Sequence, residues 1–87
     1  MAVTTFGETT KDGWFFALTK ENARLAALAV GQPDVKEVLF KMHDAKLIYP
    51  MKGGMDIQIT ETDGGLVKFR QRGSIVEFWT CIEAINH

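Results

Sequence analysis

The residues able to do chemistry in this chain are few and scattered. Cys81 is the single cysteine, and His43 and His87 are the two histidines. A zinc site needs clustered Cys, His or carboxylate ligands. One thiol and two imidazoles this far apart make no such cluster, so neither a metal nor another cofactor is expected. Nucleophilic catalysis needs a base held against the nucleophile. Glu77 and Glu83 flank Cys81, and carboxylates disfavour a thiolate. Ser74 opens a capping-box pattern, Ser74-Ile75-Val76-Glu77, and nothing brings His43 to it. Gly53-Gly54 lacks the spacing of a phosphate loop and does not lead into a helix. No catalytic residue is assigned, and the chain is expected to be non-enzymatic.

Contact chemistry is better represented. Lys68, Arg70 and Arg72 alternate along one segment, and the two-residue period of a strand puts them on one side. Such a stripe suits phosphate or an acidic protein surface; the plain alternative is a solvated face partly neutralised by Asp56. Phe40 falls on the polar side of a helix, among Lys36, Glu37 and Asp44, on an outer face that also carries His43. An aromatic there either anchors a partner or is covered by another element of the fold. Trp14-Phe15-Phe16 puts aromatics on both sides of a strand; one side is for the core, and the other is covered by a helix or a partner or lies exposed, with cover within the fold the expectation. Trp79 and Phe78 read as core.

These residues need elements to position them, and the bulk composition sets the frame. The chain has 87 residues, 46% of them hydrophobic and 24% charged, with a net charge of −1. That is the profile of one ordinary globular domain over 1–87. A dedicated nucleic-acid binder usually carries a basic excess, which is missing overall. The longest apolar run, Leu25 to Val30, is six residues, far short of a membrane span. Met1-Ala2-Val3-Thr4-Thr5 has no charged start or apolar stretch of a signal peptide. The single cysteine excludes an internal disulfide and fits a reducing, cytoplasmic setting.

Val3-Thr4-Thr5-Phe6 and Trp14-Phe15-Phe16-Ala17-Leu18 read as the strands of a hairpin over 3–18, turned at Asp12-Gly13. Thr19 is a good N-cap for a helix over 20–30, with Leu18 as a staple and Gly31 as its terminator. Pro33 and Asp34 suit the start of a second helix, in which Val35, Val38, Leu39 and Met42 make one buried stripe. Residues 46–50 read as an optional short strand. Met55, Ile57 and Ile59 alternate with polar residues, and Asp63-Gly64-Gly65 turns the chain back along Leu66 to Arg72. A three-residue loop sets Ile59 opposite Phe69, Gln58 opposite Arg70 and Asp56 opposite Arg72, matching apolar with apolar and acid with base. Ile75, Phe78, Trp79, Ile82 and Ile85 share a helical face, which predicts a third helix over 75–86, with a strand as the alternative. The expected fold is α+β: a mainly antiparallel sheet with about three helices, in the order β-β-α-α-(β)-β-β-α.

Residues 25–60 resemble the core of a winged-helix domain. Leu28, Val30 and Val35 occupy the apolar positions around its turn, and Val35, Val38, Leu39 and Met42 match the buried side of a recognition helix. Ala45-Lys46-Leu47-Ile48 resembles the exit into the first wing strand, with Lys46 where glycine is frequent. Lys52-Gly53-Gly54 looks like the wing tip and Ile57-Gln58-Ile59-Thr60 like the returning strand. The resemblance implies a DNA-binding regulator, dimeric, using residues 33–44 and the 51–55 turn. The outer face of the would-be recognition helix, however, carries Asp34, Glu37 and Asp44 alongside Lys36, Lys41 and His43. Phosphate would repel those acids, which favours contact with a protein over DNA. The expectation is a small regulator, adaptor or stoichiometric inhibitor acting through protein–protein contact, with Phe40, Lys36, His43, Lys68, Arg70 and Arg72 as partner-binding residues. No membrane role is expected, and a homodimer is compatible with it. Single-stranded nucleic-acid binding on the sheet by Lys68, Arg70 and Arg72 is a further alternative.

Overall fold

Residues 5–86 are described in the computed structural model, with side chains from Glu8 onward. Val3 and Thr4 of the expected first strand lie outside them. The architecture is α+β. Strands β1 (Thr5–Thr10), β4 (Asp56–Asp63), β5 (Leu66–Gln71), β6 (Glu77–Cys81) and β7 (Ile85–Asn86) form a five-stranded sheet in the order β6-β5-β4-β1-β7. All its pairings are antiparallel. Between β1 and β4 the chain makes β2 (Phe15–Phe16), helices α1 (Lys20–Val30) and α2 (Val35–Asp44), and β3 (Tyr49–Pro50). Strands β2 and β3 pair separately as a two-stranded sheet.

The five-stranded sheet cannot be flat. Its edges are β6 and β7, yet Cys81 and Ile85 are joined by the single 3-10 turn Ile82–Ala84. Five flat strands would set the edges about 19 Å apart, whereas four residues reach at most about 14 Å. The sheet therefore curls. The register breaks between Thr5 and Glu8 and between Ile59 and Glu61, and such breaks mark where strands bend. Phe69, Ile57, Ile85 and Val67 fill the interior that this creates.

The β4–β5 hairpin keeps the expected pairs Ile59–Phe69 and Gln58–Arg70, and the Arg72 N–H donates to the Asp56 carbonyl at 2.9 Å. The turn itself is shorter than expected. Asp63 pairs with Leu66, so Gly64 and Gly65 alone make the loop, both at positive φ. A two-residue turn of this hand requires that conformation. One extra residue at Thr60 then restores the three-residue register.

Three expectations are corrected. Residues 75–86 are not a third helix: they form β6, the 3-10 turn and β7, leaving two α-helices among the described residues. The segments flanking Asp12-Gly13 do not pair with each other; β1 joins β4 and β7, and β2 joins β3. The winged-helix resemblance is not confirmed either. Tyr49–Pro50 and Asp56–Asp63 belong to different sheets, so Lys52-Gly53-Gly54 tips no wing. Lys46 does have a positive φ, the left-handed backbone that glycine takes most easily.

Helix α1 forms as its sequence dictates. The Thr19 hydroxyl accepts from the Asn22 N–H at 3.2 Å, the usual service of an N-cap side chain. The helix buries Ala23, Ala26 and Ala29. Gly31 ends it at negative φ, and Leu18 stays exposed instead of stapling it. Small alanines bring α1 close to β5 and β6, covering the face that holds Leu66, Trp79 and Cys81. Lys20 is ion-paired with Asp63, and Arg24 reaches it at 4.0 Å. The Lys20 hydrogen bond and charge hold the Asp63 carboxyl below its ordinary range, because both favour its charged form.

Thr10 fixes the 52–55 turn to β1. Its hydroxyl donates to the Lys52 carbonyl at 2.6 Å and accepts from the Met55 N–H at 3.1 Å. The turn also presses on the Asp12-Gly13 turn, for a Cβ on Gly53 would sit 2.7 Å from the Asp12 nitrogen. Gly53→Ala must push two backbones apart and is expected to cost about 1–2 kcal/mol. A urea midpoint equal to that of the native chain would refute that close approach.

Candidate functional site

Helix α2 carries two faces of opposite use. Met42 is buried, and Val38 and Leu39 pack against the core, as the apolar stripe predicts. Lys36, Phe40 and His43 follow one another at i, i+4 and i+7, within about 60° on the outer face. Phe40 is 71% exposed, so no element of the fold covers it. An aromatic ring left in water on a helix is a large apolar area that association would bury.

Phe40 does not stand alone. It lines a groove of about 350 Å³ between α2 and the β2–β3 pair, together with Lys36, Leu39 and His43. Gly13, Trp14, Phe15, Ile48, Tyr49 and Pro50 make the facing wall. That wall is held from behind. Phe16 stacks on Tyr49 with ring centres 5.5 Å apart. It meets Phe78 edge-on at 4.7 Å, and both arrangements are favoured between aromatic rings. The buried Thr80 hydroxyl donates to the Phe15 carbonyl at 2.6 Å, and the Met51 N–H donates to the Trp14 carbonyl at 2.8 Å. Ala17 and Trp79 exchange both backbone hydrogen bonds at 2.8 Å, tying the wall to the edge of β6. The aromatics of 14–16 are thus covered within the fold, as expected: Phe15 is buried and Trp14 and Phe16 pack on the core.

No protein-family model, curated protein or solved structure matches this chain. Its groove has to be understood from its own chemistry.

The basic stripe is elsewhere and largely engaged. The Lys68 ammonium lies 3.5 Å from Glu61. It also stands 5.7 Å from the centre of the Trp79 ring, which Lys20 approaches at 5.5 Å. At such range a cation is attracted to the face of an indole. Arg70 Nε donates to the buried Gln58 side-chain carbonyl at 2.8 Å. Arg72 is exposed and lines a separate polar depression with Lys52, Asp56 and Gln71. None of the three lines the groove. Of the six residues proposed from sequence, the structure gathers Lys36, Phe40 and His43 in one place and leaves Lys68, Arg70 and Arg72 in others.

Sequence reasoning missed the far wall. Tyr49-Pro50 follows Leu47-Ile48, an apolar run ending in an aromatic and a proline. That run is the available signal, but its facing of Phe40 depends on pairing with Phe15 and Phe16, far earlier in the chain. Cys81 is buried and its thiol is pushed up to about 11, mainly by burial and then by the Glu83 charge. Both disfavour the thiolate. A thiol so protonated packs as a small apolar group. Among the described residues no group of three metal-ligating side chains comes together, and no helix is long and apolar enough to cross a membrane.

Proposed function

We propose that this chain is a small non-enzymatic protein that works by holding another protein, as a regulator, adaptor or stoichiometric inhibitor. Its contact site is the groove between α2 and the β2–β3 pair. The observation that carries this reading is Phe40, 71% exposed on the rim of an otherwise aromatic and aliphatic groove. Hot spots of protein interfaces have this composition: an aromatic anchor beside a pocket with a rigid wall and a polar edge. Lys36 and His43 supply the polar edge here. The DNA-binding alternative has less in its favour, because β3 and β4 form no wing and α2 carries Asp34, Glu37 and Asp44. Nucleic-acid binding on the sheet is weakened by the internal engagement of Lys68 and Arg70.

The test separates binding from folding. Phe40→Ala removes an exposed side chain, so stability should stay within about 0.5 kcal/mol of the native chain. Capture of a partner from native-host extract should fall by roughly 30-fold, the effect of losing about 2 kcal/mol at a hot spot. A collapse in melting temperature would make Phe40 a core residue. Equal recovery of every co-purified protein by both baits would remove the groove from the interface.

A further inference from the structure

The groove has a charge character as well as a shape. It is lined by two nitrogen bases, Lys36 and His43, and by no carboxylate. One helical turn from Lys36 stand Gln32, Pro33, Leu39 and Phe40, so no acid of its own helix is its neighbour by helical spacing. The acids of α2 lie off this line. Glu37 is 3.2 Å from Lys41, and Asp44 sits one turn beyond Phe40, outside the groove lining. Lys20 and Arg24 have Asp63 beside them, Lys41 has Glu37 and Lys68 has Glu61. Lys36 has no ion-pair partner among the described residues, and it stands at the mouth of an apolar site. An ammonium in that setting rewards a carboxylate brought next to the apolar group that fills the groove, because partial dehydration on docking strengthens their attraction.

We propose that the groove accepts an acid-flanked apolar segment of a partner protein. One large aromatic or aliphatic side chain seats between Leu39, Phe40 and the Trp14–Tyr49 wall, and an Asp or Glu within about one helical turn of it on the partner meets Lys36. The groove volume, about 350 Å³, is at the small end of ligand sites. It suits one anchor side chain with its neighbours better than a whole helix face. The inference rests on the protein-binding reading of the groove and adds the partner's chemistry to it.

The experiment is selection of a displayed library of random twelve-residue peptides on the immobilised full chain. The most enriched peptide is then titrated, as a fluorescein conjugate, against the native chain, Phe40→Ala, Lys36→Gln and Lys36→Glu. Thermal melts confirm that each variant is folded. The expected peptides carry Trp, Phe or Leu with an acid within four positions. Phe40→Ala should weaken them about 30-fold and Lys36→Glu about tenfold, and Lys36→Glu should prefer the same peptide with its acid changed to Lys. Peptides that need Phe40 but ignore both Lys36 variants would overturn the acid-flanked partner and leave the protein-binding groove standing. Peptides indifferent to Phe40, or no enrichment at all, would overturn both. So would a fluorescein-labelled twenty-nucleotide single strand bound in a salt-sensitive, Lys36-dependent way in place of any peptide.

Discussion

Phe69→Ala is expected to remove about 3–5 kcal/mol of stability, a large share of what a small chain of this kind holds. Phe69 has no exposed surface. It pairs with Ile59 on one side and Phe78 on the other, and its ring lies 5.9 Å from that of Phe78. Phe78 in turn meets Phe16, which stacks on Tyr49 at the groove wall. Truncation opens a cavity at the centre of a curled sheet, whose strands are tied by backbone bonds and cannot all close over it. At about 4–8 °C for each kcal/mol, the melting temperature should fall by roughly 12–40 °C. The comparison with Phe40→Ala is the informative one. Two phenylalanines of one chain should part completely, one carrying the fold and the other nothing but contact. A urea titration of both variants measures this, and a loss at Phe69 smaller than that at Phe40 would invert the assignment of core and surface.

The elements that sequence made legible are those settled within a few residues. Thr19, the alanine-rich run and Pro33 delimit α1 and α2 through caps and propensity, which act locally. The β4–β5 register was readable because charge and burial both favour Ile59 opposite Phe69. Even the wrong loop length there left the pairing right, since a bulge at Thr60 supplied the missing residue. What sequence hid is non-local. Trp79, Thr80 and Cys81 are all buried, for α1 covers one face of β6 while Phe15 and Phe16 pack near the other. A strand buried on both faces loses its alternation, and its apolar residues then also satisfy a helical period. The Ser74 hydroxyl does accept a backbone N–H, that of Val76 at 3.1 Å, but as a local turn with no helix behind it.

The same distinction governs the candidate site. Phe40 stood out because a helical wheel separates it from Val35, Val38, Leu39 and Met42. The wheel set it among Lys36, Glu37 and Asp44 on an outer face shared with His43; that Lys36 and His43 rather than the acids join it in the groove is visible only in the structure. Their facing wall depends on which strand Tyr49-Pro50 joins, and local pattern carries no information on that. The Asp12-Gly13 turn shows the limit plainly. Gly13 takes the expected positive φ, open to glycine at no steric cost, yet the turn reverses the chain without choosing the strand it returns to. Lys68 and Arg70 are the converse case. Their alternation on β5 was legible, but Glu61, Gln58 and Trp79, which engage them, come from neighbouring strands.

Stability should fall steeply between pH 9 and 11, and Cys81 should be a principal cause. The thiol is 3% exposed, and burial with the nearby Glu83 charge raises it from 9.0 to about 11. In the unfolded chain it releases its proton near the lower value. Between the two the folded chain binds the proton more tightly, so rising pH favours unfolding. The sign is that of an acid with a raised folded value: the contribution is intact below pH 9 and is lost progressively up to 11. A shift of this size corresponds to stability on the order of 2–3 kcal/mol. The native chain alone cannot isolate the thiol. Cys81→Ala can. It leaves a small cavity that costs stability equally at pH 7 and 8, and it should flatten the decline between pH 9 and 11 relative to the native chain. Parallel curves for the two proteins would mean the thiolate is tolerated inside the fold. Modification by a thiol reagent at pH 8 should likewise be slow in the folded chain, because a buried protonated thiol reacts only as the α1–β6 interface opens.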